Sequence, residues 1–196
     1  MIAFERVALM GIGLINGSLA RALKARNGAR EIVAHARRPE TLARALELGL
    51  CDRVEADAAE AVRGADLVVL GVPPGATGAV AAAMAPGLDA GAIVTDVGSV
   101  KVRIVEDVRP HLPDPARFVP GHPIAGTEHS GPDAAFATLF ERRPCILTPL
   151  PDTDRGAVER VRELWEAVGS TVDLMEPEHH DKVLAITSHL PHLIAY

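Results

Sequence analysis

Residues 7–18 read Val-Ala-Leu-Met-Gly-Ile-Gly-Leu-Ile-Asn-Gly-Ser, and this stretch decides the fold. An apolar run typical of a buried strand leads directly into a glycine-rich turn, and we predict a helix from Leu19 to Arg26. In such a turn Gly11 permits the sharp change of direction, and Gly13 lets a ligand approach the backbone. A pyrophosphate can then lie on the N-terminus of the helix. The stretch therefore predicts a dinucleotide-binding βαβ unit.

The rest of the chain continues this alternation of strands and helices. We predict further strands at 32–34, 65–73, 92–96, 118–119, 146–148 and 171–175, and helices at 39–48, 76–84, 100–108 and 154–168. The strand at 146–148 is expected near a sheet edge, because Pro144 and Pro149 flank it. Strands that alternate with helices of about ten residues predict an α/β fold, a Rossmann-type doubly wound and mostly parallel sheet.

The pattern changes after Met175. Residues 176–196 are expected to form one longer helical segment, and the chain stops at Tyr196 without a capping residue or a polar tail. We therefore expect residues 1–175 to be the dinucleotide-binding domain. We expect residues 176–196 to be the first helix of a truncated, all-helical domain for substrate binding and dimerisation.

Composition excludes several classes of function. The net charge of −6 and the absence of a Lys/Arg block argue against a nucleic-acid partner. No apolar run approaches the roughly 18 residues that a membrane span needs. Cys51 and Cys145 are too few for a disulfide framework, so a reducing cytoplasm is the expected location.

Two turns are expected to bind the cofactor. Position 16, where a third glycine is usual, holds Asn16; either this departure loosens the packing of the helix on the strand, or Gly17 takes over the glycine's role. The second turn, at residues 71–74, ends the strand predicted at 65–73. The residues expected to bind the cofactor in these turns are Gly11, Ile12, Gly13, Leu14, Ile15, Val72 and Pro73.

The end of the second strand bears on the choice of cofactor. An acidic residue at this place usually binds the ribose 2′-hydroxyl of NAD. This chain instead has Arg37 and Arg38, which can pair with a 2′-phosphate through charge-assisted hydrogen bonds. We expect an NAD(P) cofactor, with NADP slightly favoured. The alternative is that both arginines are ordinary solvated charges.

Residues 121–131, Gly-His-Pro-Ile-Ala-Gly-Thr-Glu-His-Ser-Gly, place proton-handling side chains between turn-forming residues. Such a segment is too polar for a core element and is a candidate for chemistry. Before it, Ser99 either caps a helix that begins at Val100 or contacts substrate and cofactor. Lys101 is either a surface charge or holds Asp96 and its loop. A zinc site is a weaker interpretation, since there is neither a Cys pair nor a His-Glu-x-x-His pattern.

These residues resemble one family. The string at 121–131, preceded by Asp-x-Gly-Ser-x-Lys at 96–101 and followed by Ser-His-Leu-Pro-His at 188–192, resembles the prephenate and arogenate dehydrogenases of tyrosine biosynthesis. The resemblance implies oxidative decarboxylation of prephenate or arogenate, with hydride transfer to NAD(P)⁺. It also implies a homodimer formed through a helical second domain.

The resemblance assigns roles by position. His122 resembles the catalytic histidine that accepts the proton of the substrate's C4 hydroxyl, and Ser99 resembles a serine that orients it. Residues that resemble substrate-binding or site-shaping positions are Thr127, Glu128, His180, Ser188, His189 and His192. His129 departs from the family, since a lysine is common there, and the family's substrate-binding arginine lies further along than Tyr196.

Two alternatives remain open at this point. Another Rossmann hydroxyacid dehydrogenase would share the fold but lacks the string at 121–131 in this form. A non-catalytic dinucleotide-sensing module would need Gly11 and Gly13, but it has no need for His122, Ser99 and His192 together.

Overall fold

The computed structural model describes residues 4–186. The strands are β1 Phe4–Met10, β2 Ala29–His35, β3 Arg53–Glu55, β4 Leu67–Leu70, β5 Ile93–Asp96, β6 Phe118–Val119, β7 Gly121–Pro123, β8 Pro144–Leu147 and β9 Thr171–Leu174. The helices are α1 Leu14–Arg26, α2 Pro39–Glu47, α3 Ala58–Val62, α4 Thr77–Met84, α5 Val102–Val108, α6 Arg155–Ala167 and α7 Pro177–Leu184. None of the helices in this range is long and apolar enough to cross a membrane.

The main sheet is parallel and covered on both faces. Its strand order is β3-β2-β1-β4-β5-β6, so β1 lies between β2 and β4. Side chains alternate across a strand, and β1 therefore supplies two cores. Val7 and Leu9 pack in one core with α1 and α6. Ala8 and Met10 pack in the other with α4 and α5. The prediction of a Rossmann-type doubly wound sheet is confirmed.

A second, three-stranded sheet was not predicted. Its order is β7-β8-β9, with β8 antiparallel to β7 and parallel to β9. The strand expected at a sheet edge is thus a central strand, and that prediction is wrong. Pro144 is only the first residue of β8, a position where its missing N–H does not interrupt the pairing. This small sheet carries His122 on β7.

Several element boundaries also differ from the predictions. Helix α1 begins at Leu14 instead of Leu19, and α5 begins at Val102 instead of Val100. The predictions omitted β3, a strand of three residues, and α3, which Asp57 caps by accepting the backbone N–H of Glu60. Of the helical segment expected over 176–196, α7 covers Pro177–Leu184, and residues 187–196 lie outside the described part.

Candidate active site

A cavity of about 370 Å³ lies where β1, β2 and β4 end. Parallel α/β sheets bind ligands at this edge, outside the carboxyl ends of their strands. Of the residues expected to bind the cofactor, those that line the cavity are Gly11, Ile12, Gly13, Arg37, Arg38, Val72 and Pro73. Leu14 and Ile15 instead pack against the core. Gly131 and Pro132 line the cavity too, although the sequence interpretation did not include them.

The two glycines of the first turn are present for different reasons. Gly11 has a φ of +92°, and a Cβ there would lie 2.7 Å from the carbonyl oxygen of Gly71. The fold itself therefore requires a glycine at this position. Gly13 has an ordinary φ of −94°, and a Cβ there would meet nothing within 4 Å. Its open space suits the close approach of a pyrophosphate, as a dinucleotide cradle requires.

The N-terminus of α1 is open for an anion. No side chain caps this helix, and its first turn contains no acidic residue. The exposed N–H groups and the helix dipole at such an end favour a phosphate. The residues at this end of the sheet therefore fit a dinucleotide cofactor.

Asn16 and Gly17 correct the expectation about the third glycine. Asn16 is buried, and its Nδ2 donates to the carbonyl oxygens of Gly11, at 2.7 Å, and Val69, at 3.2 Å. The asparagine thus ties the glycine turn to β4. A Cβ on Gly17 would lie 2.8 Å from the Cβ of Ala135. Gly17 therefore makes room for the segment that follows Pro132, and it does not replace a glycine in the packing of α1 on the sheet.

A chain of hydrogen bonds runs from His122 into the protein. The Nδ1 atom of His122 lies 2.9 Å from the Nε2 atom of His180, and the two rings meet edge to face with centroids 5.1 Å apart. The Nδ1 atom of His180 lies 2.8 Å from Oδ1 of Asp181. His180 is fully buried. Because both of its ring nitrogens have protein partners, the geometry favours support of His122 over direct contact with a substrate.

Asp181 connects this series of hydrogen bonds to the start of α5. Its carboxylate accepts the backbone N–H of Lys101, at 2.8 Å, and of Val102, at 3.0 Å. Burial tends to raise the pKa of Asp181, but these N–H donors and His180 outweigh it, and the pKa lies below its usual value. Asp181, from α7, therefore caps α5. The expectation that Ser99 caps this helix is wrong, and Ser99 lies exposed in the turn before it.

A buried ion pair lies behind His122. The Lys101 ammonium is 2.5 Å from Oδ2 of Asp96, and both side chains are 0% exposed. Lys101 also donates to the Gly121 carbonyl oxygen at 2.6 Å, while Asp96 accepts the Gly121 N–H at 3.1 Å. Lys101 is therefore not a surface charge. It holds Asp96 and its loop, which was the second of the two interpretations from the sequence. The pair fixes both backbone groups of the residue before His122.

Burial controls how this pair titrates. It lowers the pKa of the Lys101 ammonium and raises the pKa of the Asp96 carboxyl, and the attraction between the two side chains opposes both shifts. Each side chain therefore depends on the other to keep its charge inside the protein.

The remaining predicted residues lie apart from this cluster. Thr127 and Glu128 are in the exposed loop after β7, where the Thr127 hydroxyl accepts the backbone N–H of His129 at 3.2 Å. Ser188, His189 and His192 lie outside the described residues. Among residues 4–186, no group of three or more His, Cys, Asp or Glu side chains is arranged to hold a metal ion.

The sheet, the open helix end and the cavity define a dinucleotide-binding protein of the Rossmann type. Residues 19–174 match the family model described as prephenate dehydrogenase, nucleotide-binding domain. The chain therefore belongs to the prephenate dehydrogenase family.

Three relatives are similar to almost all of the chain. The cyclohexadienyl dehydrogenase of Zymomonas mobilis is 47% identical over 196 residues, which are 100% of this chain and 67% of that protein. The crystal structure of Aquifex aeolicus prephenate dehydrogenase with hydroxyphenyl propionate and NAD⁺ has a TM-score of 0.91 and 36% identity over 97% of this chain and 66% of that one. Synechocystis arogenate dehydrogenase has a TM-score of 0.87 and 34% identity, over 95% of this chain and 65% of that one. The chain thus spans about two thirds of the length of these relatives.

Proposed function

We propose that this chain carries the dinucleotide site and the proton acceptor of a dehydrogenase that oxidatively decarboxylates prephenate or arogenate. The observation that carries the proposal is the placement of His122. It lies in the string that resembles the family's catalytic segment, and His180 and Asp181 support it from the buried side. The residues that would hold the cofactor are Gly11, Gly13, Val72 and Pro73, together with the N-terminus of α1.

In this reaction His122 accepts the proton of the C4 hydroxyl. Bound NAD(P)⁺ supplies the acceptor for the hydride that leaves C4. Loss of the ring carboxylate as CO₂ leaves its electron pair in the ring, which becomes aromatic with a phenolate oxygen at C4. His122 then returns its proton to that oxygen, so the histidine ends the cycle neutral. Ser99 is proposed to orient His122 and the hydroxyl, and Thr127 and Glu128 to shape the site.

Arg37 and Arg38 support a preference for NADP. Both are exposed at the wall of the cavity, next to the N-terminus of α2, where the adenosine ribose of a bound dinucleotide would lie. The test is to replace both arginines with alanine and to titrate NADPH and NADH. We expect NADPH affinity to fall by about 10-fold or more, and NADH affinity to change little. Equal losses for both cofactors would contradict the preference.

We further propose that residues 176–196 begin a helical domain through which two copies associate, and that the protein works in the cytoplasm. Two relatives are longer than this chain, which covers 67% and 66% of their length, and this is compatible with such a domain. Light scattering tests the dimer by measuring the mass of the chain extended past Tyr196 to the length of its relatives. We expect twice the mass of one copy, and the mass of a single copy would contradict the dimer.

The activity is tested by following nicotinamide reduction with prephenate and arogenate, each with NAD⁺ and NADP⁺. The assay uses this chain and the chain extended past Tyr196. We expect His122→Asn to lower kcat by about 100-fold or more while NADPH still binds. His129→Asn, in the exposed loop, is the matched control. Unchanged turnover in His122→Asn would exclude this histidine as the base, and binding of NADPH with no turnover of either substrate would favour the sensing module.

A further inference from the structure

The proton acceptor proposed above is held by two residues that have no contact role in the reaction as described. We propose that His180 and Asp181 are positioning residues that hold His122 in the tautomer whose Nε2 accepts a proton. The kinetic part of this inference rests on the proposed function. Its structural part concerns only the three side chains and is testable without substrate.

Asp181 fixes the direction of the first hydrogen bond, because an ionised carboxylate can only accept hydrogen bonds. Two backbone N–H groups of α5 already donate to it, and they favour the ionised form. Its contact with His180 at 2.8 Å therefore requires a hydrogen on Nδ1 of His180.

The hydrogen on His180 in turn fixes the position of the hydrogen on His122. A neutral His180 with its hydrogen on Nδ1 has a lone pair on Nε2, and that atom must accept from its neighbour. The neighbour is Nδ1 of His122 at 2.9 Å, so this nitrogen carries the hydrogen. A neutral His122 then has its lone pair on Nε2. Asp181 thus determines the tautomer of His122, although the two side chains are separated by the ring of His180.

The burial of His180 keeps its imidazole ring neutral. The charged groups around its ring are Asp181 on its own helix, Lys101 at the start of α5 and Asp96 at the end of β5. Removal from water is the largest influence on the pKa of His180 and lowers it, while Asp181 opposes this shift. When His122 gains a proton at Nε2, its Nδ1–H stays bonded to this neutral ring, and the ionised Asp181 stabilises the new positive charge through it.

The first test measures the tautomers directly in the ¹⁵N-histidine-labelled chain by long-range ¹H–¹⁵N correlation. A histidine ring in water favours the Nε2–H tautomer, and exposed His111, His129 and His179 serve as internal references. We expect His122 and His180 to show the Nδ1–H tautomer. A predominant Nε2–H signal from His122 would overturn the proposal.

Asp181→Ala sharpens this test. The variant removes the carboxylate that accepts from Nδ1 of His180, so the Nδ1–H form of that ring loses its partner. The ring can then take the Nε2–H form that is favoured in water, and His122 must accept at Nδ1 and carry its hydrogen on Nε2. We therefore expect Nε2–H signals from both rings in this variant. Unchanged Nδ1–H signals from both rings in the folded variant would refute control by Asp181.

The second test is kinetic and uses the chain extended to the length of its relatives. His180→Phe keeps a buried ring but removes both nitrogens, and we expect kcat to fall by about 10-fold or more with little change in KM. The acid limb of the pH profile of kcat/KM should also move to lower pH, because protonated His122 loses its acceptor. His179→Phe makes the same change at the exposed neighbouring position and is the matched control.

Other outcomes separate the two proposals. Equal losses in His180→Phe and His179→Phe, or a change confined to KM, would overturn the positioning role. If His180→Phe does not fold, His180→Gln still offers one amide oxygen to Nδ1 of His122, and we expect its kcat to lie below that of the unaltered chain and above that of His122→Asn. If the unaltered protein turns over neither substrate, the proposed function fails, and the tautomer measurement still decides the positioning role.

Discussion

Lys101 shows how much the site depends on a single buried charge. Its removal leaves the buried Asp96 carboxylate without an opposite charge, and the Gly121 carbonyl oxygen loses a donor. We expect Lys101→Met to lower the free energy of unfolding by about 3–5 kcal/mol, because an uncompensated buried charge is strongly destabilising. Urea unfolding followed by the fluorescence of Trp165, the one tryptophan and a buried one, measures the change.

The control for this prediction is Lys24→Met. Lys24 forms an ion pair with Asp52 at 2.7 Å, but the two side chains are 34% and 45% exposed. Water screens such a pair, so we expect a loss of no more than about 1 kcal/mol. Similar losses in the two variants would contradict the special role of the buried pair.

His180 makes the stability of the fold depend on pH. Its pKa in the folded chain is lowered, first because burial disfavours the charged ring. Between that lowered pKa and the ordinary value of 6.5, the unfolded chain binds a proton that the folded chain does not. Stability is therefore complete above pH 6.5 and falls as the pH decreases below it. We expect the loss in urea midpoint between about pH 7.5 and pH 5.5 to be smaller in His180→Phe than in the unaltered chain.

Asp181 acts in a separate pH range. Its lowered pKa means that its contribution to stability is present above the ordinary carboxyl value of 3.8 and is lost as the pH falls below it. The pH range of about 5.5–7.5 used to test His180 lies above this region, so the titration of Asp181 does not affect that test. An identical pH slope in His180→Phe and the unaltered chain would refute the assignment to His180.

At the scale of elements, the first turn contains one glycine that the fold requires, Gly11, and one that we expect ligand binding to require, Gly13. Gly13→Ala places a methyl group in open space, so we expect an unchanged urea midpoint. We expect NADPH affinity to fall by about 10-fold or more, because that methyl group occupies the approach of the pyrophosphate. Gly75→Ala, also in open space, is the control and should bind normally. A Gly13→Ala variant that binds NADPH as well as the unaltered chain would place the pyrophosphate elsewhere.

Elements with local signals were the ones that the sequence predicted. Apolar runs and a Pro-to-Gly boundary located β1, β4 and α2, because these features belong to the segments themselves. Strands β8 and β9 were also predicted, but their assembly with β7 into a second sheet has no local signal, since β7 and β9 pair with β8 across long stretches of chain. Helix α1 starts before its predicted residue because Asn16 and Gly17, weak helix formers, gain tertiary contacts there.

For the candidate site too, the residues predicted from the sequence are those that lie in local motifs. His122 and Arg37 were selected from the sequence because each lies in a short motif, and the structure places His122 beside His180 and Arg37 at the wall of the cavity. Asp181 was given no role, although it lies in a segment expected near the site, since its partners at the start of α5 are about 80 positions away. The one available signal was the acidic residue next to His180, and that pattern does not specify a partner.

At the scale of the whole molecule, α7 joins the end of the described chain to its centre. Its buried residues Pro177, His180 and Leu184 face the dinucleotide-binding part. A chain that ends at Met175 loses this contact and the cap on α5. We expect it to fold and to bind NADPH but to unfold at a lower urea concentration, since the cap alone contributes about 0.5–2 kcal/mol. An unchanged midpoint would show that α7 contributes nothing to the stability of residues 1–175.

The cap supplied by Asp181 also has a consequence for the order of events during synthesis. Lys101 leaves the ribosome about 80 residues before Asp181, an interval of roughly 4–16 s at ordinary rates of elongation. During that interval the first turn of α5 has no carboxylate partner, and Lys101 and Asp96 meet without the ring of His180 beside them. The nascent chain therefore completes its dinucleotide cradle early, while the arrangement around His122 is finished only when α7 emerges.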